Sequence, residues 1–156
     1  MPGKIAQRLD ELGIVLPKPA APAANYTPFV ISGNQVFISG QVPVGPNGIE
    51  WQGKCGAEFS VAEGQQAARL CALNLLAQLQ AACDGDLDRV RGCLRIEGFV
   101  NATADFRDHP AVINGASDLI VEVLGQVGVH SRFAVGCGSL PLGVAVEVGG
   151  IFSIGN

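Results

Sequence analysis

The chain has 156 residues, of which 48% are hydrophobic and 15% charged, and its formal net charge is −4. That length suits one domain with its own core, and so few charges point to surface buried against other copies of the chain. No Lys/Arg cluster marks a nucleic-acid footprint, and no run of about 18 apolar residues marks a membrane-spanning helix.

In chain order, residues 3–12 carry Ile5, Leu9 and Leu12 at helical spacing, which predicts a short amphipathic helix stopped by Gly13. Charges interrupt this N-terminus, so it lacks a continuous signal-peptide core and a cytoplasmic location is expected. Pro17, Pro19 and Pro22 make a stiff connector, so residues 1–19 form an extension and 20–156 the main domain. Strands are expected at about 28–32 and 35–39, joined by a tight turn at Gly33-Asn34. VPVGPNGIEWQG predicts a Gly/Pro-rich loop or a hairpin with a short third strand, in which Trp51 packs or caps a cleft.

Ser60 opens the clearest helix. Ser60 and Glu63 fit a capping box, and Val61, Ala68, Cys71, Leu75 and Leu79 recur at helical spacing to about residue 83. LRIEGFVNA predicts a strand. A second long helix starts near His109-Pro110, where proline is tolerated in the first turn, and runs to about residue 124. Two last strands are expected at about 132–137 and 144–152. Phe99 and Phe106 read as core. The order β-β-(β)-α-β-α-β-β predicts an α+β fold whose mixed sheet is covered by two helices on one face only. The bare face is then a candidate for self-association.

The five cysteines (Cys55, Cys71, Cys83, Cys93, Cys137) include no C-x-x-C pair and read as reduced thiols. With only His109 and His130 beside them, no zinc site and no other cofactor is expected.

Alternation along the last two strands singles out two residues. Arg132 shares a face with Ala134 and Gly136, opposite Phe133, Val135 and Cys137. Glu147 shares a face with Ala145 and Gly149, opposite Val144, Val146 and Val148. Each strand thus sets one charge among small residues, with room beside it. Two readings follow: a structural Arg132–Glu147 salt bridge tying the strands, or a small-molecule site if the two faces coincide.

VFISGQVPV, LLAQLQAA, FVNATADF, VINGASDLI and SRFAVGCGSLPLGVAVEV carry a resemblance. Across residues 20–152 the chain resembles the Rid (YjgF-like) family of enamine/imine deaminases, also called endoribonuclease L-PSP-like proteins, in its longer YjgF-like subgroup. The resemblance implies a chorismate-mutase-like fold assembled as a homotrimer, with clefts between subunits and the bare sheet face covered. It implies that Arg132 holds the carboxylate of a small-molecule substrate and that Glu147 orients the hydrolytic water. Gly40 would face the ligand through its backbone with Ser39 adjacent, and Tyr26 and Asn114 match further family positions. Ala134 stands where archetypes often carry cysteine, His130-Ser131 where they carry Pro-Ala, and Gly149 where a second acid is common. His130 itself reads as structural or exposed.

The implied reaction is hydrolysis of a 2-enamino or 2-imino acid to a 2-oxo acid and ammonia, with Arg132 fixing the carboxylate and Glu147 polarising water. A carboxylate-binding member without turnover would use the same arginine. An endoribonuclease or translation inhibitor, which the family label suggests, would need a basic groove, a histidine pair and stacking aromatics that this sequence lacks.

Overall fold

The computed structural model describes residues 3–21 and 25–156; Pro22, expected in the connector, lies outside them. Helix α1 (Lys4–Glu11) buries Leu9 and packs Ile5 and Leu12 against the core. Gly13 at φ 68 ends it. Its first turn has no cap of its own, since Gly3 stands at the N-cap. Asp88, in a 3-10 helix (Leu87–Arg89), supplies one from 84 residues away by accepting from the Lys4 and Ile5 amides at 2.9 Å each.

Strands β1 (Phe29–Ser32) and β2 (Gln35–Gln41) form the expected hairpin, turning at Gly33-Asn34. The 42–53 segment resolves as a hairpin: β3 (Val44–Gly45) and β4 (Gly48–Ile49) pair only with each other, outside the main sheet. Helix α2 (Val61–Ala82) opens on the expected capping box, with Ser60 Oγ accepting from the Glu63 amide at 3.2 Å and Glu63 Oε1 from the Ser60 amide at 3.0 Å. Strand β5 (Val90–Asn101), helix α3 (His109–Leu124) and strand β6 (Ser131–Cys137) follow.

Strand β7 (Val146–Ile154) starts two residues later than expected. A short turn at Pro141–Gly143 precedes it, and the backbone of Ala145 is engaged elsewhere, donating to Trp51 O and accepting from the Asn101 amide, each at 2.8 Å.

The main sheet runs β1-β2-β7-β5-β6, with β5 and β6 parallel and every other pair antiparallel. The protein is therefore α+β, with a mixed sheet of chorismate-mutase-like form, two helices on one face and a third at the N-terminus. Val36, Ile96, Val100, Val146, Val148 and Phe152 face α2 and α3 and are fully buried. Each large side chain so buried contributes about 1.5–3 kcal/mol. The helices themselves approach closely, because a β-carbon on Gly115 of α3 would collide with the carbonyl of Gln65.

Cys55, Cys71, Cys83, Cys93 and Cys137 are all free thiols. Burial pushes Cys55 up to about 11 and Cys93 to about 12, so both stay protonated and inert at neutral pH.

The opposite sheet face is uncovered in the single chain. Val30, Phe37 and Val135 are exposed there, and Phe99 and Phe133 meet edge to face at 5.4 Å. Phe99 is thus not the core residue expected, because after the register shift between Cys93 and Arg95 it alternates with buried Ile96 and Val100 and points away from the helices. Phe106 does pack against the core, as does Trp51, whose ring meets Phe59 at 5.4 Å.

Candidate functional site

Glu147 sits on β7 opposite Phe99, on the uncovered face. Its carboxylate is half-buried and makes no hydrogen bond or ion pair among the described residues. Burial alone pushes its carboxyl above the ordinary glutamate range. Against it lies Gly40, where β2 breaks register with β7 between Ile38 and Gln41. The irregularity carries the Gly40 backbone toward the carboxylate, and Gln41 Nε2 donates to Ser39 O across it at 2.9 Å. Gly149 lies beside this approach, where a β-carbon would stand 3.3 Å from Ile38 O and 3.6 Å from the Gly40 backbone. A side chain in place of Gly149 would crowd the bulge.

Glu147, Gly40 and Tyr26 line one pocket of about 350 Å³. Apart from Gln41 its other walls are apolar, among them Ala20 and Ala21, Val44 and Ile49 of the small hairpin, and Pro141 and Leu142. Leu142 is 52% exposed and holds a left-handed backbone (φ 61), a conformation costing on the order of 1–3 kcal/mol outside glycine. Gln52 Nε2 donates to its carbonyl, and the Gly53 amide to Gly143 O, each at 2.8 Å, which pins this turn. Ser39 is engaged differently: its hydroxyl donates to Thr27 O at 2.8 Å, holding the segment that bears Tyr26.

Arg132 lies elsewhere. On edge strand β6 it pairs with Ile96, which places it on the helix-covered face. Glu147 lies two strands away, about 10 Å across the sheet, and points from the other face. Parity along each strand is as expected, but bulky residues mark the core face in β7 and the open face in β6. One chain therefore brings together neither a shared cavity nor an Arg132–Glu147 salt bridge.

The guanidinium rests on α3, donating to Ser117 Oγ at 3.1 Å and to Pro110 O at 3.2 Å. Asn114 is exposed on the same helical stripe, between Pro110 and Ser117, and Ala134 is half-buried on the Arg132 face. Two clusters result. One holds Tyr26, Gly40 and Glu147, with Ser39 behind them; the other holds Arg132, Asn114 and Ala134. Sequence reasoning did not single out Ser117, Leu142 or the bulge at Gly40. A glycine inside a strand pattern was the one signal for the bulge.

Among the described residues, no three His, Cys, Asp or Glu side chains converge to hold a metal ion, and no helix is long and apolar enough to cross a membrane.

The pattern of the family described as "YjgF/chorismate_mutase-like, putative endoribonuclease" matches residues 6–150. The chain belongs to this family. It is 48% identical to Protein TCP17 of Trypanosoma cruzi over 155 residues, covering 99% of this chain and 96% of that one. Among solved structures it resembles protein Atu1372 of Agrobacterium tumefaciens, described as of unknown function, at 47% identity and a TM-score of 0.88, covering 96% and 93% of the two chains. A second, described as a "putative endoribonuclease" of Shewanella oneidensis, is 38% identical with a TM-score of 0.93, covering 97% and 100%.

Proposed function

We propose that the protein hydrolyses 2-enamino and 2-imino acids to 2-oxo acids and ammonia, at clefts where the Arg132 cluster of one copy faces the Glu147 cluster of another. The observation that carries this reading is the state of Glu147: a half-buried carboxylate in a largely apolar pocket, with no cation or hydrogen-bond partner among the described residues. Such a group is costly to keep and suits a proton acceptor for water or a partner for an iminium N–H. Arg132 is complementary, since among the described residues no carboxylate pairs with it, and its fork matches a substrate carboxylate. The uncovered face, with exposed Val30, Phe37 and Val135 beside Arg95 and Glu97, supports assembly as a homotrimer, which would bring clusters from different copies together.

In the reaction, an enamine first tautomerises to the imine. Arg132 holds the carboxylate and so fixes the adjacent C=N carbon. Glu147 accepts a proton from water as its oxygen bonds to that carbon, and the electron pair of the C=N bond moves to nitrogen. The proton then passes to the nitrogen. Glu147 then carries the hydroxyl proton to the nitrogen as well, so the C–N bond breaks with release of ammonia while the hydroxyl oxygen forms the new C=O. The charge balance and the placing of the two histidines favour this over RNA cleavage. His109 begins α3 while His130 bonds its middle at Ser117, so they do not pair.

The test generates 2-imino acids with an amino-acid oxidase and traps them with semicarbazide. Added protein should lower semicarbazone formation, and Arg132→Ala and Glu147→Gln should each abolish the effect. If no imine is lost faster with the protein present, hydrolysis is wrong and carboxylate binding without turnover takes its place.

A further inference from the structure

We infer that His130 and Ser117 form a hydrogen-bonded relay that positions Arg132 for its ligand; the inference rests on the deaminase reading of Arg132 given above. His130 Nδ1 lies 2.6 Å from Gly128 O, and its Nε2 lies 2.9 Å from Ser117 Oγ. The same Ser117 oxygen accepts from Arg132 Nη1 at 3.1 Å. A carbonyl only accepts, so Nδ1 carries the proton that meets Gly128 O. In the neutral ring Nε2 is then an acceptor, and the Ser117 hydroxyl proton points to it. That leaves the Ser117 lone pairs turned toward the guanidinium. With the ring neutral, each donor and acceptor in the chain Arg132 → Ser117 → His130 → Gly128 is used once, and the direction of every proton follows from the carbonyl at its end.

The second guanidinium nitrogen is fixed as well, by Pro110 O at 3.2 Å. Arg132 therefore has both terminal nitrogens tied to α3 while it stands on an edge strand, where a free side chain would sample many rotamers. Its remaining N–H groups outnumber the two that a bidentate carboxylate needs. His130 and Ser131 are also where the chain departs from the archetypal Pro-Ala, and both have a bond to make. Ser131 Oγ donates to Leu94 O at 2.6 Å, tying the start of β6 to β5. His130 reaches the other way, to α3. Ser117 and His130 touch no ligand on this account and are positioning residues.

A purely structural role, pinning β6 to α3, predicts a different outcome from a positioning role. Binding of 4-methyl-2-oxopentanoate to the full chain, followed by calorimetry, should weaken roughly 3- to 10-fold in Ser117→Ala, the loss of one ordinary hydrogen bond. Ser117→Thr keeps the hydroxyl and should restore binding, and His130→Ala should weaken it like Ser117→Ala. In an Arg132→Ala background, Ser117→Ala should have no further effect. Equal losses in both backgrounds, or no loss in either, would overturn the relay.

A second measurement does not depend on the ligand. The guanidinium N–H signals of Arg132 in nitrogen-15 spectra should show restricted rotation in the wild type and Ser117→Thr, and averaging in Ser117→Ala. Signals that ignore Ser117 would also sink the relay. If Arg132→Ala leaves imine loss and binding untouched, the deaminase reading fails by itself, and the Arg132 signals still decide whether the relay exists.

Discussion

Gly40 lies so close to the carboxylate of Glu147 that one added methyl group would occupy the place of Oε2. The obstructing atoms belong to the tip of a flexible side chain and not to backbone, so the chain can yield by moving the carboxylate. Gly40→Ala is therefore expected to fold with a melting temperature near wild type while losing at least about 10-fold in kcat/KM for imine hydrolysis, from a displaced base. A thermal melt beside the semicarbazide assay checks this. A stable Gly40→Ala protein with full activity would remove the Gly40–Glu147 contact from the mechanism.

Glu147 also sets a pH dependence. Its carboxyl is raised by burial, so the folded protein holds the charged form at a cost above that raised value. The cost fades as pH falls through the folded-state pKa and the group takes up its proton. Glu147→Gln should thus be more stable than wild type at neutral pH, and the difference should shrink on acidification. Activity has the opposite demand, since the base must be ionised: the acid limb of the kcat/KM profile should lie above the ordinary glutamate value. Melting curves across pH for both proteins, with a pH–rate profile of the wild type, test the two halves separately.

The opposed faces of Arg132 and Glu147 lead to a third expectation. If each cleft takes its arginine from one copy and its glutamate from the next, Arg132→Ala and Glu147→Gln are inactive alone but complement when mixed. After co-refolding in equal amounts, about a quarter of the clefts carry both native groups, and about that share of activity should return. No recovery in mixed oligomers, whose formation mass spectrometry can verify, would rule out a cleft shared between copies and remove one of the two groups from the mechanism.

These relationships were legible in the sequence to different depths. The helices were readable because their signals are local: Ser60 and Glu63 cap α2 within one turn, and the 3.6-residue period of Ala68, Cys71, Leu75 and Leu79 does not depend on neighbours. The parity of Arg132 and Glu147 was local too. Which face each strand turned to the core was not, because β6 is an edge strand whose small residues meet α3 while Phe133 and Val135 look outward. Phe99 failed for the same reason. The bulge at Gly40 shifts register by an amount set by its partner β7, and the Asp88 cap joins residues 84 apart. The Ser117–His130 bond likewise needed the packing of β6 on α3 to be known.

The Asp88 cap carries the last expectation. It holds the unpaired amides of Lys4 and Ile5, and those two bonds, Ile5 foremost, keep its carboxyl below the ordinary aspartate range. A depressed folded-state pKa means the contribution is present above the unfolded value and is lost as pH falls through the folded one. Asp88→Ala should release the first turn of α1 at neutral pH, at a cost of about 1 kcal/mol typical of a lost cap. Arg8 Nε, bonded to Glu122 O at 2.9 Å, and buried Leu9 would still hold the rest of the helix on α3. Hydrogen exchange should therefore quicken at the amides of α1 in Asp88→Ala, and in the wild type under strong acid, while α2 and β5 stay protected. Unchanged exchange at α1 in Asp88→Ala would show that packing of Leu9 alone docks the helix, with the cap incidental.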